Sequence, residues 1–182
     1  MAKTKGIEVG KFVQRNNMLK KIGLDTDNCI SWIENEKLSP GYKPRIAKRR
    51  NFLYTNYVVF SELMHLISNK DLTIKSEEVI GFLKRNHIRP IKKKDVDKIK
   101  VEETFNKLKA ECKKNNWSAG ESDLRVISVY YNAGIDCIST NNLRHFKDPC
   151  YYLKISLDFP PIIQPYSKQD VNRMLRNLYK NH

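Results

Sequence analysis

Three acidic residues, Asp25, Glu62 and Asp123, stand where their neighbours argue against a solvent-facing carboxylate. Asp25 closes a short strand-like segment, directly after Ile22 and Leu24. On a helix, Glu62 shares a face with Val58, Val59 and Leu66 at i−4, i−3 and i+4. Asp123 opens a helical stretch whose apolar stripe is Val126, Ile127 and Tyr130, at i+3, i+4 and i+7. Each has an ordinary reading as well: a strand-ending Asp, a buried ion pair for Glu62, and favourable placement in the helix dipole for Asp123. A carboxylate on an apolar face is costly unless a cation compensates it. Three of them converging would repel one another unless a divalent cation held them, and oxygen-only ligands suit Mg2+ or Mn2+ rather than zinc.

Delivering the acids to one place requires strands and helices in alternation. Residues 20–25 read as a strand, 28–36 as the start of a helix with Ile30 and Ile33 on one side, 52–57 as a strand and 58–68 as a helix. Ser39, Pro40, Gly41 and Pro44 punctuate a loop between them. Ser76 is expected to cap a helix over 77–86, residues 88–91 to form a strand, and Asp95 to cap a long helix to about 115. Ser118 and Glu121 match a capping box for a helix to about 133, which Gly134 ends. Strands are expected at 135–139 and 151–157, and a basic helix from Ser167 to the end, after Pro160, Pro161 and Pro165. Such alternation predicts an α/β fold with a mostly parallel sheet, whose sites form at the carboxyl ends of the strands.

Charge bears on the partner. Lys and Arg total 34 against 20 acids, a net charge of +14. A chain this basic attracts polyanions, nucleic acid above all. The charge is clustered: Lys43, Arg45, Lys48, Arg49 and Arg50 fall in eight residues without an acid, and residues 84–116 hold a second concentration. Such runs suit phosphate contacts, although part of the second must be a solvated helix face. The four cysteines, Cys29, Cys112, Cys137 and Cys150, have neither CxxC nor zinc-ligand spacing and read as reduced, buried thiols. No stretch approaches a membrane span, so a cytoplasmic location is expected.

The segment 22–30, IGLDTDNCI, resembles the opening of PIN domains, in which a strand delivers an Asp followed by Thr. The segment 58–63, VVFSEL, resembles the helix that supplies the second acid of that family. The segment 120–146, GESDLRVISVYYNAGIDCISTNNLRHF, resembles its third-acid helix, the next strand and the Thr-containing loop after it. Order and spacing agree across residues 20–146. The resemblance implies a three-layer α/β/α sandwich over residues 20–157, flanked by a basic extension at 1–19 and a Pro-containing loop and basic helix at 158–182. It implies Mg2+- or Mn2+-dependent hydrolysis of RNA phosphodiesters, with Asp25, Glu62 and Asp123 as metal ligands. The fourth acidic position of the family falls on Asn142, neutral here but still able to offer a carbonyl oxygen. Thr140, Asp27, Asn141, Arg49 and Arg50 are the candidates for substrate contact or for support of the ligands. Thr140 would shape the loop or hold a phosphate, and Asp27 has a rival reading as a helix N-cap. His145 and His65 read as structural. RNA, a protein antitoxin of a VapC-like toxin and a second copy of the chain are the partners implied. A PIN-like RNA-binding module without catalysis and a structure-specific DNA nuclease are the rival functions.

Overall fold

The computed structural model describes residues 19–48, 51–69 and 74–158. Five parallel strands form one sheet: β1 (Lys21–Leu24), β2 (Phe52–Asn56), β3 (Arg89–Ile91), β4 (Cys137–Ser139) and β5 (Ser156–Asp158), in the order β3-β2-β1-β4-β5. β1 lies at the centre, with Ile22 opposite Leu53 on one side and Cys137 on the other. Buried on both faces, it carries the continuous Ile-Gly-Leu run that parallel strands require. Seven helices complete the described fold: α1 (Thr26–Leu38), α2 (Arg45–Lys48), α3 (Tyr57–Ser68), α4 (Ser76–Arg85), α5 (Lys98–Asn115), α6 (Glu121–Asn132) and α7 (Leu143–Tyr152). With this strand order, the right-handed rule for parallel crossovers places α1 to α4 on one face of the sheet and α5 to α7 on the other, an α/β/α sandwich. Trp32 of α1 meets Phe82 of α4 edge-on at 5.2 Å in the first layer, and α5, α6 and α7 pack side by side in the second. Among the described residues no helix is long and apolar enough to cross a membrane.

Several expected boundaries shift, each for a local reason. α1 begins at Thr26 because the Asp25 carboxylate accepts its N–H, so Asp25 and not Asp27 is the N-cap. Ser76 is the first residue of α4, and Lys75 holds the cap position without a side-chain bond. Asp97, not Asp95, caps α5 through the N–H groups of Ile99 and Lys100; Asp95 closes the preceding short 3-10 turn by accepting from the Lys92 N–H. The expected Ser118–Glu121 box is replaced by Asp123 accepting from the Gly120 N–H, while the Ser118 hydroxyl donates to the Arg144 carbonyl. The strand expected from Tyr151 starts only at Ser156, because α7 continues to Tyr152 with Pro149 inside it. Lys154, at φ 59°, then ends α7 with the Ile155 N–H on the Cys150 carbonyl and its own on Tyr151. This is a Schellman closure without glycine. Gly134, at φ 66°, ends α6 the same way, as expected. The N-terminal extension, Arg49, Arg50 and the C-terminal basic helix lie outside the described residues.

The Asn56 side chain ties β2 to the helix that carries Glu62. Its carbonyl oxygen accepts the N–H groups of Val58 and Val59, and its amide donates to the Val126 carbonyl. The residue is fully buried. Asn56→Ala should therefore cost about 2–3 kcal/mol, because the cap is lost and the Val58 and Val59 N–H groups lose their acceptor. Urea denaturation should show the midpoint falling with little change in slope.

Candidate active site

Asp25, Thr26, Asp27, Glu62, His65, Leu66, Asp123 and Asn142 line one cleft of about 310 Å3. It lies at the carboxyl end of the parallel sheet, where β1 passes into α1 and β4 into α7. All three acids singled out by sequence context come to this cleft, and so does Asp27.

Asp25 sits deepest. Its backbone N–H donates to the Ser139 carbonyl at 3.0 Å, which registers it against the end of β4. One carboxylate oxygen accepts the Thr26 N–H and the other the Thr140 hydroxyl, each at 2.8 Å. The residue is only 5% exposed. Burial pushes its carboxyl up from 3.8 to about 7; the two hydrogen bonds oppose that shift, and the charges of Asp27 and Asp123 add to it. Asp27 is half-buried in the first turn of α1. Its carboxyl is raised by burial first, then by Asp123 and Glu62, with His145 opposing.

Glu62 is half-buried, and its two oxygens accept the hydroxyls of Thr26 and Ser122. Among the described residues it has no Lys or Arg partner, so the ion-pair reading does not describe it. Asp123, in the first turn of α6, accepts from the Gly120 N–H and faces His145 Nδ1, both at 3.0 Å. Val126, Ile127 and Tyr130 below it are buried as the stripe predicts.

Asn142 enters the cleft as the residue before α7. Its N–H donates to Thr140 Oγ1 at 2.9 Å, so the Thr140 hydroxyl links the loop to Asp25. At 1% exposure Thr140 supports a carboxylate and offers nothing to a ligand outside. Asn141 turns the other way, its amide 3.4 Å from the Ser31 hydroxyl. The residues that sequence context did not assign to the site are Thr26, Ser122 and the two histidines. The hydroxyls adjoin Asp25 and Asp123 in sequence, which is the one signal that pointed to them.

The donors are of the kind a hard cation takes, carboxylate and amide oxygens. Among the described residues, no three His, Cys, Asp or Glu groups stand close enough to ligate one ion as they are oriented. As they stand, Glu62 and Asp123 are instead held by hydrogen bonds to Thr26, Ser122, Gly120 and His145.

No family model and no curated protein sequence matches this chain. Solved structures do. The structure of VapBC2 from Rickettsia felis bound to a DNA fragment from its promoter aligns over 76% of this chain and 97% of the matched chain, at 20% identity and a TM-score of 0.54. DNA-bound VapBC from Salmonella typhimurium aligns over 78% and 98%, at 20% identity and a TM-score of 0.53. VapBC-1 from nontypeable Haemophilus influenzae aligns over 76% and 96%, at 14% identity and a TM-score of 0.50. This chain has the PIN-domain fold. Within the PIN fold, the cleft described above occupies the switch point at β1, where the strand order reverses and parallel sheets place their sites.

Proposed function

We propose that this chain is a metal-dependent endoribonuclease that hydrolyses phosphodiester bonds of single-stranded or structured RNA. One observation carries the reading: four carboxylates, Asp25, Asp27, Glu62 and Asp123, gather in a single cleft of a chain with a net charge of +14. Burial first, and the charges of the neighbouring acids after it, raise the carboxyl groups of Asp25 and Asp27, a cost that a divalent cation removes. The chain's net charge of +14 suits a phosphate backbone.

Mg2+ or Mn2+ bound in the cleft would activate the attacking water and neutralise charge building on the phosphate and the leaving oxygen. The ligands proposed are Asp25, Glu62 and Asp123, with Asn142 offering an amide oxygen in place of a fourth acid. Thr140 and the Thr26 N–H hold both oxygens of Asp25, so that carboxylate is oriented before any ligand arrives. The hydroxyls of Thr26 and Ser122 hold Glu62 at the rim. Asp27 is the spare carboxylate, placed to accept a proton or orient a water. As the VapBC names of the structural neighbours suggest, a protein antitoxin is the partner proposed to silence the activity, and a second copy of the chain a further one.

The neutrality of Asn142 favours one rival, RNA binding without cleavage. Incubation of a labelled single-stranded RNA with Mn2+ separates the two. Metal-dependent cutting is expected, abolished by EDTA and reduced at least about 100-fold in Asp123→Asn. RNA retained on the protein with no cutting at any Mg2+ or Mn2+ concentration would sink the nuclease reading in favour of the rival. A DNA oligonucleotide of the same sequence in parallel tests the structure-specific DNA nuclease.

A further inference from the structure

One ring nitrogen in the cleft has two neighbours that it cannot satisfy at once. His145 Nδ1 lies 3.0 Å from Asp123 Oδ2 and 2.9 Å from the side-chain amide nitrogen of Asn142. As an N–H donor, Nδ1 suits the carboxylate but meets a second donor in the amide. As a bare acceptor, it suits the amide but faces the carboxylate. Half a turn of the Asn142 amide exchanges its nitrogen for its oxygen. Nδ1 would then have the Asn142 Oδ1 on one side and Asp123 Oδ2 on the other, each lone pair about 3 Å from its own. Neighbouring ligands of an octahedral ion with bonds near 2.1 Å stand about that far apart. The helix makes the set: Asn142 and His145 are three residues apart at the start of α7, and Asp123 faces them from the first turn of α6.

We infer that His145 is a nitrogen ligand of the cleft cation, beside Asp123 and the Asn142 amide oxygen, and that it gives the site a preference for Mn2+ over Mg2+. The inference rests on the cation-dependent reading above. A neutral amide at the fourth position leaves the ion short of one strong donor, and an imidazole one turn further on supplies it. Mg2+ takes oxygen ligands and holds its waters, whereas Mn2+ accepts an imidazole more readily. The rival is a plain hydrogen bond from Nδ1–H to Asp123, which would leave the ion an oxygen-only shell.

Electron paramagnetic resonance of the full chain with added Mn2+ separates these. The loss of the free-ion signal measures binding, and spin-echo modulation reads whether an imidazole nitrogen is bonded to the ion. The wild type is expected to show that modulation. His145→Gln is expected to lose it and to bind Mn2+ about 10-fold more weakly, with Mg2+ affinity changing much less. His65→Gln, which alters the imidazole that lines the cleft, should keep the modulation. Mn2+ bound to the wild type without nitrogen modulation overturns the inference and leaves the cation-dependent reading standing. So does modulation that persists in His145→Gln. If Mn2+ does not bind the wild type at all, both fall together.

Discussion

Asp25→Asn should lower metal-dependent RNA cleavage by about 1000-fold, the scale of losing a preorganised charge at a reacting phosphate, and should at the same time make the metal-free protein more stable. The second effect follows from linkage. Asp25 has a folded-state value of about 7 against 3.8 for a free carboxyl, with burial as the main cause. Between those values the folded chain holds more protons than the unfolded one, so stability falls as pH rises through that window. At low pH both states are protonated and no penalty exists. Above about pH 7 both are ionised and the penalty is complete, on the order of 4 kcal/mol. Asparagine has no charge to desolvate and keeps an oxygen for one of the two hydrogen bonds, so it should recover about 1–3 kcal/mol, or about 3–8 °C in melting temperature at this chain length. Thermal melts in EDTA at pH 5 and pH 8 test this directly. The wild type should melt lower at pH 8 than at pH 5, and the variant should narrow that difference. Added Mn2+ should raise the wild type at pH 8 more than the variant. An Asp25→Asn protein that is less stable than the wild type in EDTA at pH 8 would show that Asp25 is a structural cap and not a carboxylate held for a cation.

Gly23→Ala should unfold or severely loosen the domain, although it adds one methyl group in the middle of a strand. A Cβ built on Gly23 would lie 2.7 Å from two ring carbons of Tyr130 and 2.8 Å from a third. No flexible chain end stands there to move aside. Tyr130 is fully buried, and its hydroxyl donates to the Leu24 carbonyl at 2.5 Å. The ring therefore supports the peptide immediately before Asp25. Seating the methyl requires either the ring to leave that carbonyl or β1 to move off α6. Overpacking of this kind costs about 3 kcal/mol or more, and a melting temperature lower by about 10 °C is expected. Cleavage by the residual folded fraction should fall as well, since the same shift displaces Asp25. A variant with unchanged melting temperature would mean that β1 and α6 yield more easily than their packing implies. Tyr130→Phe is the milder companion: it keeps the ring and isolates the contribution of the hydroxyl, which reaches the Leu24 carbonyl and, at 3.4 Å, that of Tyr54.

The elements most legible in the sequence are those whose pattern is local. β1 and α6 show their burial in unbroken or helically spaced apolar residues, and Gly134 marks the end of α6 because glycine takes a left-handed backbone freely. Equivalent closures at His87 and Lys154 carry no such mark, and α7 goes unmarked in the sequence, which reads as a strand where Tyr151 and Tyr152 end a helix. Lys154 adopts the left-handed conformation because the Ile155 N–H reaches the Cys150 carbonyl, a geometric closure that residue type does not announce. The caps show the same limit. Asp25, Asp95 and Asp97 are equally good cap residues by type, and which N–H each accepts depends on where its helix begins in space.

The site divides along the same line. A carboxylate set against an apolar stripe is an energetic anomaly that the chain reports on its own, and it singled out Asp25, Glu62 and Asp123 along with the α/β alternation that would bring them to one edge. What type and spacing leave open is the partner each of these groups meets. Asp27, read also as a cap, is instead the fourth acid of the cleft. The Thr140 hydroxyl donates to Asp25, and Asn141, its neighbour in sequence, points to the Ser31 hydroxyl. His145 meets Asp123 across 22 residues of chain. Burial and apolar periodicity act through neighbours a few residues away, so residue type and spacing already mark which acids are out of place. Hydrogen bonds among those side chains join α1, α3, α6 and the loop before α7, and only the tertiary structure decided them, because the sign and distance of each contact depend on backbones brought together from separate parts of the chain.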